Sequence, residues 1–245
     1  MNELISVLSP ADSLLGASNF SMLDERTIVV TKWNWDYLRA HEFQRKALDI
    51  VQKTPHLRIL ICCSHPEVLT NGRGLQKPRK GESFDLVDFR VEEQRTLPYP
   101  FFQVERGGGL TFHYPGQFIF YPIVKLNPTS LSLSTIINQM FDFTIDVLKE
   151  WGIPSLHHGN KLLGLWYGDR KIASMGIAIE KLTTFHGMAL NLQKNDSMLL
   201  ALDRLNPCGL KAQTYSSVED IVSLPSMPHD IFREHFLKRI QYEWK

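Results

Sequence analysis

Cysteine is scarce in this chain: three residues in 245, two of them adjacent at Cys62 and Cys63. An odd count at that spacing makes no disulfide framework and suits a reducing compartment. An excess of one charge is missing too. The formal net charge is +1, whereas a dedicated nucleic-acid binder needs a strongly basic face, so no nucleic-acid partner is expected. No apolar run approaches the roughly 20 residues that span a bilayer, and no membrane partner is expected. The N-terminus carries Glu3 where a signal peptide carries positive charge, and it lacks a sustained apolar core. These absences together predict a soluble, cytoplasmic protein. Nucleotide signatures are also lacking: the triplet Gly107-Gly108-Gly109 is not followed by Gly-Lys-Ser/Thr and does not open a helix. With no internal repeat, low-complexity tract or linker, residues 1–245 read as one mixed α/β domain.

What the sequence does have is concentrated in Arg106–Gln117. Three consecutive glycines let the backbone approach a ligand closely. Arg106 offers a fork of donors, Thr111 a hydroxyl and His113 an imidazole, and Pro115-Gly116 makes a tight turn. The segment reads as a binding loop mounted on the apolar strand that follows it. The plainer alternative is a Gly-rich hairpin connection.

Around this segment, apolar residues at Tyr37, Ala40, Phe43, Ala47, Ile50 and Val51 predict an amphipathic helix over 34–54, capped by Asn34 or Asp36 and ended by Pro55. Leu57–Cys63 predicts a buried strand running into a loop over 64–74. Residues 76–95 are polar, with Lys77-Pro-Arg-Lys80 in their middle, and read as a surface loop. Phe101–Glu105 and Phe118–Leu126 predict strands. A second helix starts at Ser132 or Ser134 and stops at Gly152. Leu162–Tyr167, the turn Gly168-Asp169 and Arg170–Met175 predict a hairpin, and Phe185–Leu192 continues the β pattern. A short helix over 197–205, a capping box at Ser217/Asp220 and a final amphipathic helix within 228–245 complete the chain.

Among reactive side chains, Cys62 and Cys63 end a buried strand and read as inert hydrophobes. Cys208, between Pro207 and Gly209 in a polar turn, is the accessible thiol, and it needs a base or a neighbouring cation to become a nucleophile. Spacing alone does not choose that base among His65, His113, His157, His158, His186 and the lysines. The adjacent pair His157-His158 points to opposite faces of a strand and has no further ligand at a standard offset, so no metal site is expected there or elsewhere.

Read together, the ordered motifs resemble the lipoyl(octanoyl) transferases. They are Ser64-His-Pro-Glu-Val-Leu-Thr70, Arg106–Gln117 followed by Tyr121-Pro122, Lys171-Ile-Ala-Ser-Met-Gly176, His186-Gly-Met-Ala-Leu-Asn191 and Asn206-Pro-Cys-Gly209. They span roughly residues 34–224. Two positions depart from the family pattern: Tyr114 stands where most members have Gly, narrowing the loop or altering acyl contacts, and Thr214-Tyr215 replaces Thr-Ser.

The resemblance implies a fold like the catalytic domains of biotin and lipoate ligases, a mixed, largely antiparallel sheet flanked by helices. It implies a single octanoyltransferase domain with Cys208 as nucleophile and Lys171 as its acid–base partner. Substrate would be bound by Arg106, Gly107, Gly108, Gly109, Leu110, Thr111, Phe112 and His113, by Ser174, Met175 and Gly176, and by His186, Gly187, Met188 and Ala189. The implied donor is octanoyl-acyl carrier protein. The implied acceptors are lipoyl domains of 2-oxoacid dehydrogenase complexes and the glycine cleavage H protein, with no cofactor and no metal. His113 becomes a positioning residue. The rival readings are an ATP-dependent lipoate- or biotin-type ligase, a cysteine hydrolase or amidotransferase with a histidine base, and a non-catalytic carrier-domain binder.

Overall fold

The computed structural model describes residues 8, 12–74, 98–127, 129–159, 163–205 and 212–244. Eleven strands and four α-helices lie among them. The strands are β1 (Phe20–Asp24), β2 (Thr27–Lys32), β3 (Arg58–Cys63), β4 (Val68–Gly74), β5 (Phe101–Gln103) and β6 (Gly108–His113). They continue with β7 (Gln117–Ile123), β8 (His157–His158), β9 (Gly164–Tyr167), β10 (Arg170–Glu180) and β11 (Thr183–Asn191). The helices are α1 (Tyr37–Lys53), α2 (Leu133–Glu150), α3 (Asp196–Leu205) and α4 (Pro228–Glu243).

Eight strands form one sheet in the order β1-β2-β3-β7-β11-β10-β9-β8, and β5-β4-β6 form a second. Only the β2/β3 and β4/β5 pairs are parallel, so the sheets are mixed and largely antiparallel, as expected. The alternation of strand side chains builds two cores. From β3 and β7, Ile59, Ile61, Cys63, Ile119, Tyr121 and Ile123 face α1, which buries Ala40, Phe43, Ala47, Leu48 and Val51 against them. Leu60, Cys62, Phe118 and Phe120 face the other way, onto α2 and α4 through Met140, Phe141, Val147, Phe232, Phe236 and Ile240. Because both faces are covered, β3 and β7 are apolar along nearly their whole length, the pattern of a doubly packed strand. Each large apolar side chain buried this way contributes roughly 1.5–3 kcal/mol.

The helix starts follow local chemistry. The Asp36 carboxylate accepts from the Arg39 N–H and caps α1, and the Ser132 hydroxyl accepts from the Thr135 N–H and caps α2. Two segments differ from their sequence-based reading. Residues 68–74, expected as loop, are strand β4, and 108–113, within the expected binding loop, are strand β6. They pair antiparallel with each other, Val68 opposite His113 through Asn71 opposite Leu110. Glycine and polar residues lower strand propensity, but partner strands override it. Leu162 and the polar stretch 76–95 lie outside the described residues.

A third, smaller core joins the second sheet to α3, with Leu69, Leu110, Phe112 and Tyr114 packed on Met198, Ala201 and Leu202. Tyr114 is fully buried there, and its hydroxyl donates to the Gln193 carbonyl at 2.9 Å. Its ring packs toward α3 and against Gly116 of its own turn.

Candidate active site

Where the small sheet meets β10 and β11, two clefts open side by side. The first, of about 340 Å³, has Arg106, Thr111 and His113 on one wall and Ser174, Met175 and Gly176 of β10 on another. Its floor is His186, Gly187, Met188 and Ala189 of β11, and Tyr37 of α1 and Tyr121 of β7 close its end. The second, of about 280 Å³, shares Thr111 and Ser174 with the first and adds Leu110, Phe112, Gln117, Asn191, Met198, Leu202 and Tyr215. Gly107, Gly108 and Gly109 line neither cleft. The loop closes onto β10 instead, where the Gly107 N–H donates to the Ile177 carbonyl at 3.3 Å. A Cβ on Gly176 would lie 2.7 Å from the Gly107 carbonyl oxygen, so only glycine permits that approach.

A buried hydrogen-bond chain holds this architecture. The Arg106 guanidinium donates to the carbonyls of Gly107, Gly109 and Thr70 and to Thr70 Oγ1, the last at 2.8 Å. Thr70 Oγ1 lies 3.2 Å from His113 Nε2, and His113 Nδ1 lies 3.0 Å from Gln117 Oε1. Gln117 Nε2 donates to the Phe112 carbonyl and to Asn191 Oδ1, and Asn191 Nδ2 donates to the Ser216 carbonyl. The Ser216 N–H in turn donates to the carbonyl of Lys171 at 3.1 Å. Carbonyls only accept, so they fix both amide orientations, and Gln117 Oε1 must accept from His113. His113 therefore carries its proton on Nδ1 and accepts the Thr70 hydroxyl at Nε2. Both ring nitrogens are engaged, and burial pushes its pKa well below 6.5. It is neutral, and its ring is held from both nitrogens.

The other histidines near the clefts are also burdened. His65 is fully buried, and its Nδ1 donates to the Trp35 carbonyl at 2.7 Å. Burial moves its pKa down to about 4. His186 sits in β11 at φ +56, its N–H donating to Gln44 Oε1 of α1. Burial lowers its pKa as well. The Cys62 and Cys63 thiols are fully buried and pushed up by desolvation, Cys62 to about 12. That agrees with their reading as inert core residues.

Lys171 is buried, near the start of β10. The register between β9 and β10 slips between Lys171 and Ala173, and such a bulge re-aims a side chain. The Lys171 Nζ lies 5.9 Å from the centre of the Tyr215 ring, and that ring lines the second cleft. A Cβ on Gly164 of β9 would meet Lys171 Cε at 2.7 Å, so the missing side chain there makes room for the lysine stem. The segment Asn206–Gly209, with Cys208, lies outside the described residues.

Residues 36–241 match the family described as the lipoyl protein ligase A/B catalytic domain. The octanoyltransferase of Syntrophobacter fumaroxidans is 31% identical over 86% of this chain and 89% of its own length. That of Nostoc punctiforme is 30% identical over 80% and 90%. The chain belongs to the octanoyltransferase family. It is accordingly an enzyme of the acyltransferase class. The crystal structure of a lipoate-protein ligase A bound with ATP superposes with a TM-score of 0.63 over 89% of this chain and 85% of that one. At 12% identity that likeness is one of fold.

Of the residues expected to bind substrate, Arg106, Thr111, His113, Ser174–Gly176 and His186–Ala189 line the first cleft, and Leu110 and Phe112 line the second with Thr111 and Ser174. Tyr37, Thr70, Tyr121, Gln117, Asn191 and Tyr215 were not among the expected site residues. Gln117 and Asn191 end two of the motifs, and Thr70 ends a third, so their signal was present. Tyr37 carried none beyond its place in the first turn of an amphipathic helix.

Proposed function

We propose that the enzyme transfers an octanoyl group from octanoyl-acyl carrier protein to a lysine of lipoyl domains through a thioester on Cys208. Lys171 acts as acid and base. In the first half-reaction, the Cys208 thiol gives its proton to Lys171 and its sulfur attacks the thioester carbonyl. The carrier's sulfur leaves and takes the proton back. In the second, the acceptor ε-amine attacks the acyl-enzyme, Lys171 removes the amine's proton, and Cys208 is released and reprotonated as the amide forms.

One observation carries this reading beyond family membership. The described chain just past the cysteine motif is tied to Lys171 itself: the Ser216 N–H donates to its carbonyl, and the Tyr215 ring lies beside its amine. A thiol placed 37 residues further along the sequence (208 − 171) needs such a return of the chain to reach this lysine. The clefts are lined by adaptable Met175, Met188 and Met198. Burying six methylenes of an octanoyl chain there would contribute roughly 5 kcal/mol to binding, at about 0.8 kcal/mol each.

The test is intact mass after mixing with octanoyl-acyl carrier protein and no acceptor. An octanoyl adduct is expected on the parent protein and absent from Cys208→Ala, with strongly slowed formation in Lys171→Ala. An adduct on another residue, or transfer that requires ATP, would overturn the proposal.

A further inference from the structure

His41 of α1, Glu105 just past β5 and His186 of β11 come together beside the first cleft, which His186 lines, and the proposed transfer uses neither His41 nor Glu105. One ligand atom from each lies within 4.8 Å of the other two. His41 Nε2 is 3.1 Å and His186 Nε2 3.6 Å from Glu105 Oε2. A tetrahedral ion with bonds of about 2.0–2.1 Å needs ligand atoms roughly 3.3 Å apart, which these two distances bracket.

The deciding atom is His186 Nε2. Its side chain is 2% exposed, and its nearest polar partner is Glu105 Oε2 at 3.6 Å, beyond the length of a good hydrogen bond. A buried imidazole nitrogen aimed at a carboxylate across that gap is placed for an ion to bridge the two. The backbone there is held in the left-handed region inside a strand, at φ +56, and is clamped by the Gln44 side chain. Such strained non-glycine residues cluster where a ligand or function uses them.

We propose that His41, Glu105 and His186 form a binding site for a divalent transition-metal ion of the zinc class. Two imidazoles and one carboxylate suit Zn²⁺, Co²⁺ or Ni²⁺ and supply too few oxygens for Ca²⁺ or Mg²⁺. The surrounding charge selects in the same direction. Arg45 lies 4.0 Å from the second oxygen of Glu105, although its stronger pairing is with Glu180 at 2.9 Å. A cation held by charge alone is opposed there, whereas imidazole coordination is less so. His186 is the fixed point. His41 and Glu105 are 19% and 33% exposed, so an ion can reach them. The His41 ring, stacked on His186 at 5.4 Å, turns out of the stack to complete the triangle.

The test uses Cys208→Ser protein, which removes the thiol of the cysteine motif, stripped with a chelator and titrated with Co²⁺ and then Zn²⁺. One equivalent is expected to bind, with a tetrahedral Co²⁺ spectrum lacking a thiolate charge-transfer band, and Zn²⁺ should displace it. His41→Ala and Glu105→Gln should each weaken binding at least ~10-fold while leaving the circular dichroism spectrum unchanged. In the unsubstituted chain, the imidazole resonances of His41 and His186 should shift on adding Zn²⁺. Binding weaker than about 1 mM, equal affinity in both variants, or unmoved His41 and His186 resonances would each overturn the proposal.

Discussion

Thr70→Val tests the hydrogen-bond chain that frames the clefts. Valine keeps the shape of threonine and removes one oxygen. That oxygen accepts from the Arg106 guanidinium at 2.8 Å and, on the polarity fixed by Gln117, donates to His113 Nε2 at 3.2 Å. Thr70 is fully buried, so water cannot substitute. Arg106 keeps its bond to the Thr70 carbonyl at 2.9 Å, which limits its loss. A hydrogen bond to a charged group is worth about 1.5–3 kcal/mol, and an orphaned buried acceptor costs about 1–3. The two overlap, and a loss of about 3 kcal/mol is expected. For a chain of this length that is a fall in Tm of roughly 6–12 °C. Thr70→Ser keeps the hydroxyl and should cost about 1 kcal/mol for the missing methyl. Urea unfolding of the three proteins gives the magnitudes, and the ¹⁵N shifts of the His113 ring give its tautomer. A valine variant within 1 kcal/mol of the parent, or a proton found on His113 Nε2, would refute the assigned polarity.

Three further outcomes follow from the same geometry. Gly164→Ala places a methyl 2.7 Å from Lys171 Cε and 2.3 Å from the Ala173 carbonyl oxygen; single-turnover acylation should slow at least ~10-fold with little change in carrier affinity, and an unchanged rate would remove Lys171 from the chemistry. Tyr114→Ala should cost about 3–5 kcal/mol without altering acyl-chain preference, because its ring lines neither cleft; a changed preference in competition assays would contradict its placement. His65 and His113 are both held neutral by burial, so below about pH 6.5 the unfolded chain binds protons that the fold refuses, and stability falls as pH drops toward 4 at up to about 1.4 kcal/mol per unit for each. Between pH 7 and pH 5 the urea-derived stability should decrease by up to about 4 kcal/mol; about half that fall would mean that one of the rings is protonated in the fold, and no fall that both are.

The elements that local chemistry specifies were legible in the sequence. The threes-and-fours pattern of α1 and its Asp36 cap, the Ser132 cap of α2, and the Gly168-Asp169 turn between β9 and β10 all depend on neighbours a few residues away. What escaped depends on partners far along the chain. Residues 68–74 and 108–113 look like loops because glycine and polar residues dominate them, and they become strands only because each supplies the other's ladder. Tyr114 is the sharpest case. On a binding loop a bulky residue suggests contact with the ligand. Its actual direction was set by α3, which is more than eighty residues further on and offers Met198, Ala201 and Leu202 as a packing surface.

That placement bears on the role of Arg106–Gln117. Each polar group of the segment that faces inward is satisfied by protein: the Arg106 guanidinium by three carbonyls and a hydroxyl, His113 by Thr70 and Gln117, and Gln117 by Phe112 and Asn191. A general base needs a lone pair that can reach the proton it removes. His113 Nε2 is already an acceptor, His65 donates through Nδ1 to a carbonyl, and His186 is turned toward Glu105. Lys171, the proposed acid and base, has a re-aimed side chain beside a cleft, and the chain past the cysteine motif is bonded to its own backbone. The segment richest in functional groups thus uses its inward-facing ones on the protein's own hydrogen bonds while lining the clefts. Its hydrogen bonds end at Asn191 and Ser216, one residue from the ring that lies beside the lysine, so loosening Arg106 should be felt at Lys171 through that chain and not by direct contact.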